Sequence, residues 1–244
     1  MPFTLLAIET ATDVCSVALT RDRQVVVALT LTRPRAHAET LVPMIQEAFH
    51  YGEVTPRTLD AVAVSSGPGS YTGLRIGVST AKGMAMAVEA SLIGVPSLEA
   101  LAASVAPMAA PGEAICALFN SRRNEVYAAL FLQTGEAALQ LLAQAAALSL
   151  DEVPAWLTAY SGRRLWLVGE GVPRAVPVLQ DHTSYELQPL DPTVFAPSAT
   201  WIARLAFPKY EAGAVENVAG FEPAYLKAFV AKKPKGSIFD KLPF

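Results

Sequence analysis

Residues 3–34 have the sequence FTLLAIETATDVCSVALTRDRQVVVALTLTRP, and this stretch decides the fold. Its first six residues form an almost wholly apolar run, which is typical of a strand buried on both faces. Polar turns at 9–13 and 21–23 separate this run from two further apolar runs. The alternation of strand and turn predicts an antiparallel meander of three strands.

After Pro34 the spacing of the apolar residues changes to that of helices. Leu41, Ile45 and Phe49 lie on one helical stripe and predict a helix at about 38–51. The following segments predict a buried strand at 59–65, a helix at 72–88, a short strand at 92–96 and a helix with Ser97 as its N-cap. The order β-β-β-α-β-α-β-α resembles the half-module of the actin, hexokinase and Hsp70 superfamily. We therefore predict an α/β protein with the actin-like ATPase (ASKHA, ribonuclease H-like) fold.

The segment PMAAPG at 107–112 is typical of a boundary between two units. We predict an N-terminal actin-like half-module at 1–106 and a degenerate second half-module with a C-terminal tail at 107–244. The second unit is expected to contain strands at 114–119, 125–132 and 165–168 and a helix at 199–207. Residues 135–150 are rich in Ala and Leu and fit a strand or a helix.

The composition of the chain excludes several classes of protein. A hydrophobic content of 52% with 17% charged residues predicts a substantial core, and a formal net charge of −3 argues against binding a polyanion across the whole surface. Cys15 and Cys116 are far apart and form no Cys-x-x-Cys pair, which favours a reducing compartment. Charges or prolines interrupt every apolar run before about 18 residues, so we expect no membrane span and a cytoplasmic location.

The turn after the first strand is a candidate nucleotide site. Superfamily members that bind ATP carry an acidic residue, hydroxyl groups and backbone amides here, facing phosphate and its metal. This chain offers Glu9, Thr10 and Thr12, but it has no glycine that would let the backbone approach a phosphate. A polar hairpin turn and a weakened nucleotide site both fit this pattern.

A second candidate is the glycine-rich segment SSGPGSYTGLRIG at 65–77. Gly67, Gly69 and Ser70 form a turn between a buried strand and a helix, where unpaired backbone amides at the positive end of the helix dipole can hold an anion. The segment is not a Walker A loop, because it lacks the Gly-Lys-Ser/Thr ending.

The helix that follows has a ridge of small residues, Gly73, Gly77, Ala81 and Ala85, spaced four apart. Glycine inside a helix costs roughly 1 kcal/mol relative to alanine. Some neighbour must therefore require close approach of the backbone along this ridge. The neighbour is either the protein's own sheet or a helix of another subunit, and we predict the subunit contact.

Metal binding and nucleophilic catalysis are not expected. A His-x-x-x-His pair would place two imidazoles on one helical face, but the residue four after His37 is Leu41. His50 and His182 have no companion at ligand spacing, and no Gly-x-Ser-x-Gly segment occurs. Basic pairs at 122–123, 163–164 and 232–233 are typical of solvated faces, although the last lies in a tail that also fits phosphate contact.

Four segments together resemble the TsaB family, formerly called YeaZ. They are the glycine-rich segment 65–77, HAETLVP at 37–43, NEVY at 124–127 and EPAYLK at 222–227. The resemblance is dense over residues 4–101 and patchy beyond. It implies the actin-like fold and a role in making threonylcarbamoyladenosine beside the anticodon of tRNA. It further implies a heterodimer with TsaD, the metal-containing paralogue that transfers the threonylcarbamoyl group, and a complex joined by the ATPase TsaE.

Two hypotheses of different classes follow. The first is a subunit without catalytic residues or a metal, which docks on TsaD, or on a second copy in isolation, through the two helices at 38–51 and 72–88. The residues assigned to this interface are His37, Leu41, Ile45, Gly73, Gly77, Ala81 and Ala85. It would bind tRNA only through the complex, hold no cofactor tightly, and bind ATP or ADP weakly or at the interface with TsaD. The second is an active ATP-dependent phospho- or acyl-transferase that uses Glu9, Thr10 and the turn at 67–70, and a metalloprotease ranks last for lack of ligands.

Overall fold

The computed structural model describes residues 3–136, 138–160, 162, 164–182 and 185–227. The first half contains β1 (Thr4–Glu9), β2 (Val14–Arg21), β3 (Gln24–Thr32), α1 (His37–Tyr51), β4 (Ala61–Ser65), α2 (Tyr71–Val88), β5 (Ser91–Val95) and α3 (Ser97–Ala103). The second contains β6 (Ala114–Asn120), β7 (Glu125–Gly135), β8 (Ala138–Ser149), α4 (Val153–Trp156), β9 (Arg164–Val168), α5 (Val172–His182), β10 (Glu186–Pro189) and α6 (Ala199–Glu211). The basic tail at 232–235 and Arg163 lie outside the described residues.

The strands form two five-stranded sheets with the same topology. The first sheet has the order β3-β2-β1-β4-β5, and the second has the corresponding order β8-β7-β6-β9-β10. In each sheet the first three strands pair antiparallel and the last two join in parallel. The predicted order of elements in the first half is confirmed, and the second half repeats it with α1 reduced to the four-residue α4.

The segment at 135–150 is a strand along most of its length, β8. It pairs antiparallel with β7 through a tight turn in which Gly135 (φ 121°) and Glu136 (φ 48°) have left-handed backbone. Register shifts at three places along this pair show why its sequence lacks a strand period: bulges interrupt the alternation of the two faces.

The helices cover both faces of the sheets. In the first sheet α1 and α2 pack on one face, where Leu6, Ile8 and Val17 are fully buried. The other face is covered by α6, the last helix of the chain, while α3, from the first half, packs on β6 and β7 of the second sheet. The two halves therefore exchange their terminal helices. Among the described residues, no helix is both long and apolar enough to cross a membrane.

Candidate functional site

A polar cleft of about 250 Å³ lies between the two halves. Five parts of the chain line it: the turn after β1, the turn before α2, the end of β6 with the start of β7, the end of β9, and the C-terminal segment. Its lining residues are Ala11, Thr12, Asp13, Pro68, Gly69, Ser70, Tyr71, Asn120, Ser121, Arg122, Tyr127, Glu170, Ala224, Tyr225, Leu226 and Lys227. Three of the segments singled out in the sequence, 65–77, 124–127 and 222–227, thus meet at one place.

Residues 214–227, which we call the closing segment, join the two halves across this cleft. The amide of Ala224 donates to the Ser66 carbonyl at 2.7 Å, on the first half. Tyr225 packs on Tyr71 at the start of α2, with ring centroids 5.0 Å apart. Lys227 forms an ion pair with Glu125 at the start of β7, on the second half. The segment 222–227 therefore ties the glycine-rich turn to the second sheet.

Two carboxylates face the cleft from opposite halves. Burial raises the pKa of Glu170, and the negative charge of Asp13 raises it further, whereas the hydrogen bond from the Asn120 amide at 3.1 Å lowers it. Arg122 supplies an exposed cation nearby. Among the described lining residues there is no histidine or cysteine. The cleft can bind a small polar molecule, and it contains no pair of nucleophile and imidazole base.

Three of the six residues assigned to nucleotide binding line the cleft, namely Thr12, Gly69 and Ser70. Glu9 and Thr10, which were assigned to the same nucleotide site, do not line the cleft, because both are fully buried. Gly67 lies on a different groove, against the carbonyl of Ala224.

The carboxyl group of Glu9 is sealed inside the first half. Its Oε1 accepts the Ala11 amide at 2.6 Å, while its Oε2 has no hydrogen-bond partner among the described residues. Burial raises the pKa of Glu9 to about 7, and the hydrogen bond from Ala11 offsets this only in part. A carboxyl group in this position cannot face a phosphate or its metal across the cleft.

The prediction of unpaired backbone amides at the glycine-rich turn is also corrected by the structure. The amide of Gly67 donates to Ser97 Oγ at 3.0 Å and that of Ser70 donates to the Ala11 carbonyl at 2.6 Å. The amide of Gly73 donates to Ser70 Oγ, the N-cap of α2. Ser97 is therefore not the N-cap predicted for α3, since its hydroxyl is used by the turn. All three amides donate hydrogen bonds within the chain, so they are not free to bind an anion.

The ridge of small residues on α2 faces the protein's own β1–β2 turn. A Cβ on Gly73 would lie 2.2 Å from the Thr10 carbonyl oxygen, and one on Gly77 would lie 2.1 Å from Thr10 Oγ1. Ala81 and Ala85, further along the ridge, are buried in the core of the first half. The prediction of a subunit contact along this ridge is wrong, because the turn carrying Thr10 occupies the space that the glycines leave.

The interface residues assigned on α1 are buried as well. His37, Leu41 and Ile45 pack under the first sheet, and His37 Nε2 donates to the Val14 carbonyl at 3.2 Å. Their apolar stripe is the inner face of an amphipathic helix, so none of them offers surface to a partner. Within the described part of the chain, no three His, Cys, Asp or Glu side chains cluster as metal ligands.

The outer faces of α1 and α2 carry features that the sequence reasoning missed. Gly83 is exposed, and a Cβ there would meet no described atom within 4 Å. Met86 is 67% exposed on α2, and Val42 is 50% exposed on α1. Gly83 lies outside the four-residue repeat of the ridge, and this spacing was the available signal that it serves a different surface.

Several lining residues of the cleft were also missed, among them Asp13, Ser121, Glu170 and Lys227. They come from four separate parts of the chain. Lys227 is the last residue of the motif 222–227 and Ser121 lies close to the motif 124–127, but no local pattern indicated that these motifs would meet.

Comparison with known proteins places the chain among tRNA-modification proteins and their relatives. A family model described as TsaD: tRNA N6-adenosine threonylcarbamoyltransferase matches residues 31–174. The tRNA threonylcarbamoyladenosine biosynthesis protein TsaB of Escherichia coli (strain K12) is 32% identical over 230 residues, which are 94% of this chain and 96% of that protein. The protein of the same name from Bacillus subtilis (strain 168) is 33% identical over 128 residues, 52% of this chain and 55% of that one.

Among solved structures, YeaZ from Pseudomonas aeruginosa superposes with a TM-score of 0.80 and 25% identity, over 92% of this chain and all of that chain. The match extends across both halves of the chain. The predicted fold class and the resemblance inferred from the four segments are both confirmed.

Proposed function

Because the chain belongs to the TsaB (YeaZ) family, we propose that it serves in tRNA threonylcarbamoyladenosine biosynthesis as a subunit that activates TsaD and has no catalysis of its own. The observation that carries the non-catalytic part is the burial of Glu9. The acidic residue at the end of β1 is fully buried, and Gly73 and Gly77 of α2 pack against the next residue, Thr10. An ATP-dependent reaction would need that carboxylate beside the phosphates.

The outer face of α1 and α2 is the surface that we assign to TsaD. Gly83 lies in the middle of an 18-residue helix, where glycine costs roughly 1 kcal/mol relative to alanine. Unlike Gly73 and Gly77, it has no described neighbour that would require it. An open glycine flanked by the exposed side chain of Met86 suits a partner helix that comes closer than the usual ~8–10 Å between axes. In the isolated protein the same face would join two copies as a homodimer.

We propose that this chain contacts tRNA and TsaE only within its complex with TsaD. A chain with a net charge of −3 lacks the excess of Lys and Arg that grips a polyanion, so tRNA is held mainly by the partner. TsaE joins the pair of TsaB and TsaD. The cleft would bind ATP or ADP weakly, or nucleotide would lie at the interface with TsaD.

One observation favours the rival function, an ATP-dependent transferase. Asp13 and Glu170 face the cleft with Arg122, an arrangement that suits a hydrated cation and a phosphate. Turnover of ATP by the pure, isolated chain would support this rival. We expect none, and we expect mutation of Asp13 to leave TsaD binding intact.

The docking assignment is tested by adding bulk to the outer face. Gly83→Leu and Met86→Lys are expected to keep the fold, because both positions are exposed and neither change disturbs the core. Neither variant should co-purify with TsaD from the same organism. The rate of tRNA modification in the reconstituted system should fall as TsaD binding is lost. Met108→Lys is the matched control, since Met108 is 49% exposed and lies outside α1 and α2.

The result can refute the proposal in two separable ways. Normal TsaD binding by both Gly83→Leu and Met86→Lys would reject the assigned face but leave the subunit role open. Full tRNA modification in the absence of this chain would reject the subunit role itself.

A further inference from the structure

A second pocket, of about 430 Å³, lies beside the polar cleft, between α2 and the closing segment. Among its described lining residues are three cations, Arg75, Lys82 and Lys227, and one carboxylate, Glu222. The chain as a whole has a net charge of −3, so this excess of positive charge is local. We call this feature the basic pocket. Positive charge collected in one concave place on an acidic protein indicates a site for an anion.

The two lysines of the basic pocket are held by different kinds of acceptor. Lys227 forms an ion pair with Glu125, which offsets its charge. Lys82 Nζ donates to the carbonyl oxygens of Ala219 and Phe221, at 3.0 and 2.9 Å. Carbonyl groups carry no net charge, so Lys82 is fixed in position with its charge unneutralised. Its ammonium group has three donors, and the third is available to a ligand.

Arg75 is also oriented by the protein. Its Nη1 donates to the Tyr71 hydroxyl at 2.5 Å, and its guanidinium carbon lies 5.4 Å from the centroid of the Tyr71 ring. The residue is exposed, and within the described part of the chain no carboxylate forms a salt bridge with it. A guanidinium group has five donors in a planar fork, which can bind two oxygens of one phosphate. Arg75 therefore keeps donors for an anion after its hydrogen bond to Tyr71 is made.

Two tyrosines form the wall that the basic pocket shares with the cleft. The rings of Tyr71 and Tyr225 lie 5.0 Å apart, and Tyr225 remains 38% exposed. Aromatic rings beside cations are typical of surfaces that bind unpaired RNA, because a base can stack on the ring while the cation holds the phosphate. A carboxylate from a protein partner would use the cations alone. The pair of tyrosines therefore favours RNA over an acidic protein segment.

We propose that the basic pocket binds a phosphate group of tRNA while the chain is bound to TsaD. The inference rests on the function proposed above, which supplies both the complex and its substrate. Arg75 lies about two helical turns before Gly83, or roughly 12 Å along α2, so the pocket is at the edge of the face assigned to TsaD. A tRNA held mainly by TsaD can reach the pocket there, and Arg75 and Lys82 then add a phosphate contact from this chain.

Charge substitutions in the preassembled complex test the contact. The affinity for tRNA is measured by filter binding for complexes of TsaD with the wild-type chain and with the variants Arg75→Gln, Glu222→Gln and Arg57→Gln. We expect Arg75→Gln to weaken tRNA binding and Glu222→Gln, which removes the carboxylate of the same pocket, to strengthen it. Arg57→Gln is the matched control, because Arg57 is an exposed arginine before β4, at the end of that strand away from the glycine-rich turn. It should bind tRNA as the wild type does.

The salt dependence identifies the ligand as a phosphate. Each phosphate contact adds about 0.7–0.9 to the slope of log affinity against log salt concentration. Losing one contact in Arg75→Gln should therefore lower the affinity about tenfold at ~50 mM salt and about threefold at ~200 mM salt. Equal affinities and slopes for Arg75→Gln and Arg57→Gln would overturn the proposal.

Binding of TsaD in the absence of tRNA separates this proposal from the function on which it rests. Arg75→Gln and Glu222→Gln should both co-purify with TsaD as the wild-type chain does. Loss of TsaD binding by Arg75→Gln would overturn the phosphate contact and assign the pocket to a carboxylate of TsaD. Failure of the wild-type chain itself to bind TsaD would reject the proposed function as well. A normal complex whose tRNA affinity is unchanged by Arg75→Gln rejects the phosphate contact alone.

Discussion

The inner and outer faces of α2 contain the same residue type for opposite reasons. On the inner face Gly77 is required by the fold, because a Cβ there would lie 2.1 Å from Thr10 Oγ1. On the outer face Gly83 has open space around it, and nothing described in this chain requires it. A count of small residues along a helix therefore does not indicate an interface. The neighbour of each glycine has to be known before its cost can be assigned to folding or to binding.

The largest effect is expected from bulk on the inner face. Gly77→Leu would drive a side chain into the β1–β2 turn, and overpacking of a rigid core should cost about 3 kcal/mol or more. Denaturant unfolding monitored by circular dichroism measures this loss. Gly83→Leu, its counterpart on the outer face, should unfold at or above the wild-type midpoint when both proteins are dilute enough to be monomeric. Similar losses for the two variants would remove the distinction between the faces.

The buried carboxyl group beneath the inner face predicts a pH-dependent stability. The folded pKa of Glu9 is about 7 against 4.5 for the free group, so the folded form keeps a proton that the unfolded chain releases. Stability is unaffected below pH 4.5, falls as the pH rises towards 7, and is then lower by about 3 kcal/mol. Glu9→Gln has no carboxyl group to ionise, so it should not show this loss of stability between pH 4.5 and 7. Its unfolding free energy should rise relative to the wild type between pH 4.5 and 8, and parallel pH profiles would contradict the prediction.

A double-mutant cycle tests whether Thr10 is the neighbour that excludes a side chain at Gly77. Gly77→Ala alone should destabilise by about 1–3 kcal/mol, because the added methyl group overlaps Thr10 Oγ1. In the Thr10→Ala background most of this loss should disappear. A coupling energy of about 0.5 kcal/mol or more is expected. Additive effects would show that another group sets the limit.

The smallest effect is expected at Gly83. Gly83→Ala adds a Cβ to open space and should stabilise the isolated chain by up to about 1 kcal/mol through helix propensity alone. Thermal unfolding measures the gain, at a protein concentration low enough to keep both the variant and the wild type monomeric. A destabilised variant would show that α2 has an inner neighbour at this position too.

The first half shows how much of the fold can be predicted from the local spacing of apolar residues. The meander, α1, α2 and the strand between them follow from the apolar periodicity, because each element buries one face or stripe and the sequence records which residues lie on it. The glycine-rich segment at 65–77 and three shorter segments were sufficient to identify the family. The segment at 135–150 was ambiguous because bulges in the β7–β8 pair erase the strand period.

The sequence by itself determined the order of elements in the first half, whose topology the second half repeats, and it determined the family. Only the tertiary structure decided which residues face the cleft, that Glu9 is sealed behind it, and that Gly77 and Gly83 have different neighbours. The reason is physical. Periodicity reports whether a side chain is buried, which is a property of its own element, whereas the identity of its neighbour depends on a contact between elements that are distant in the chain. Thr10 lies 67 positions from Gly77, and no local pattern in either segment records that they touch.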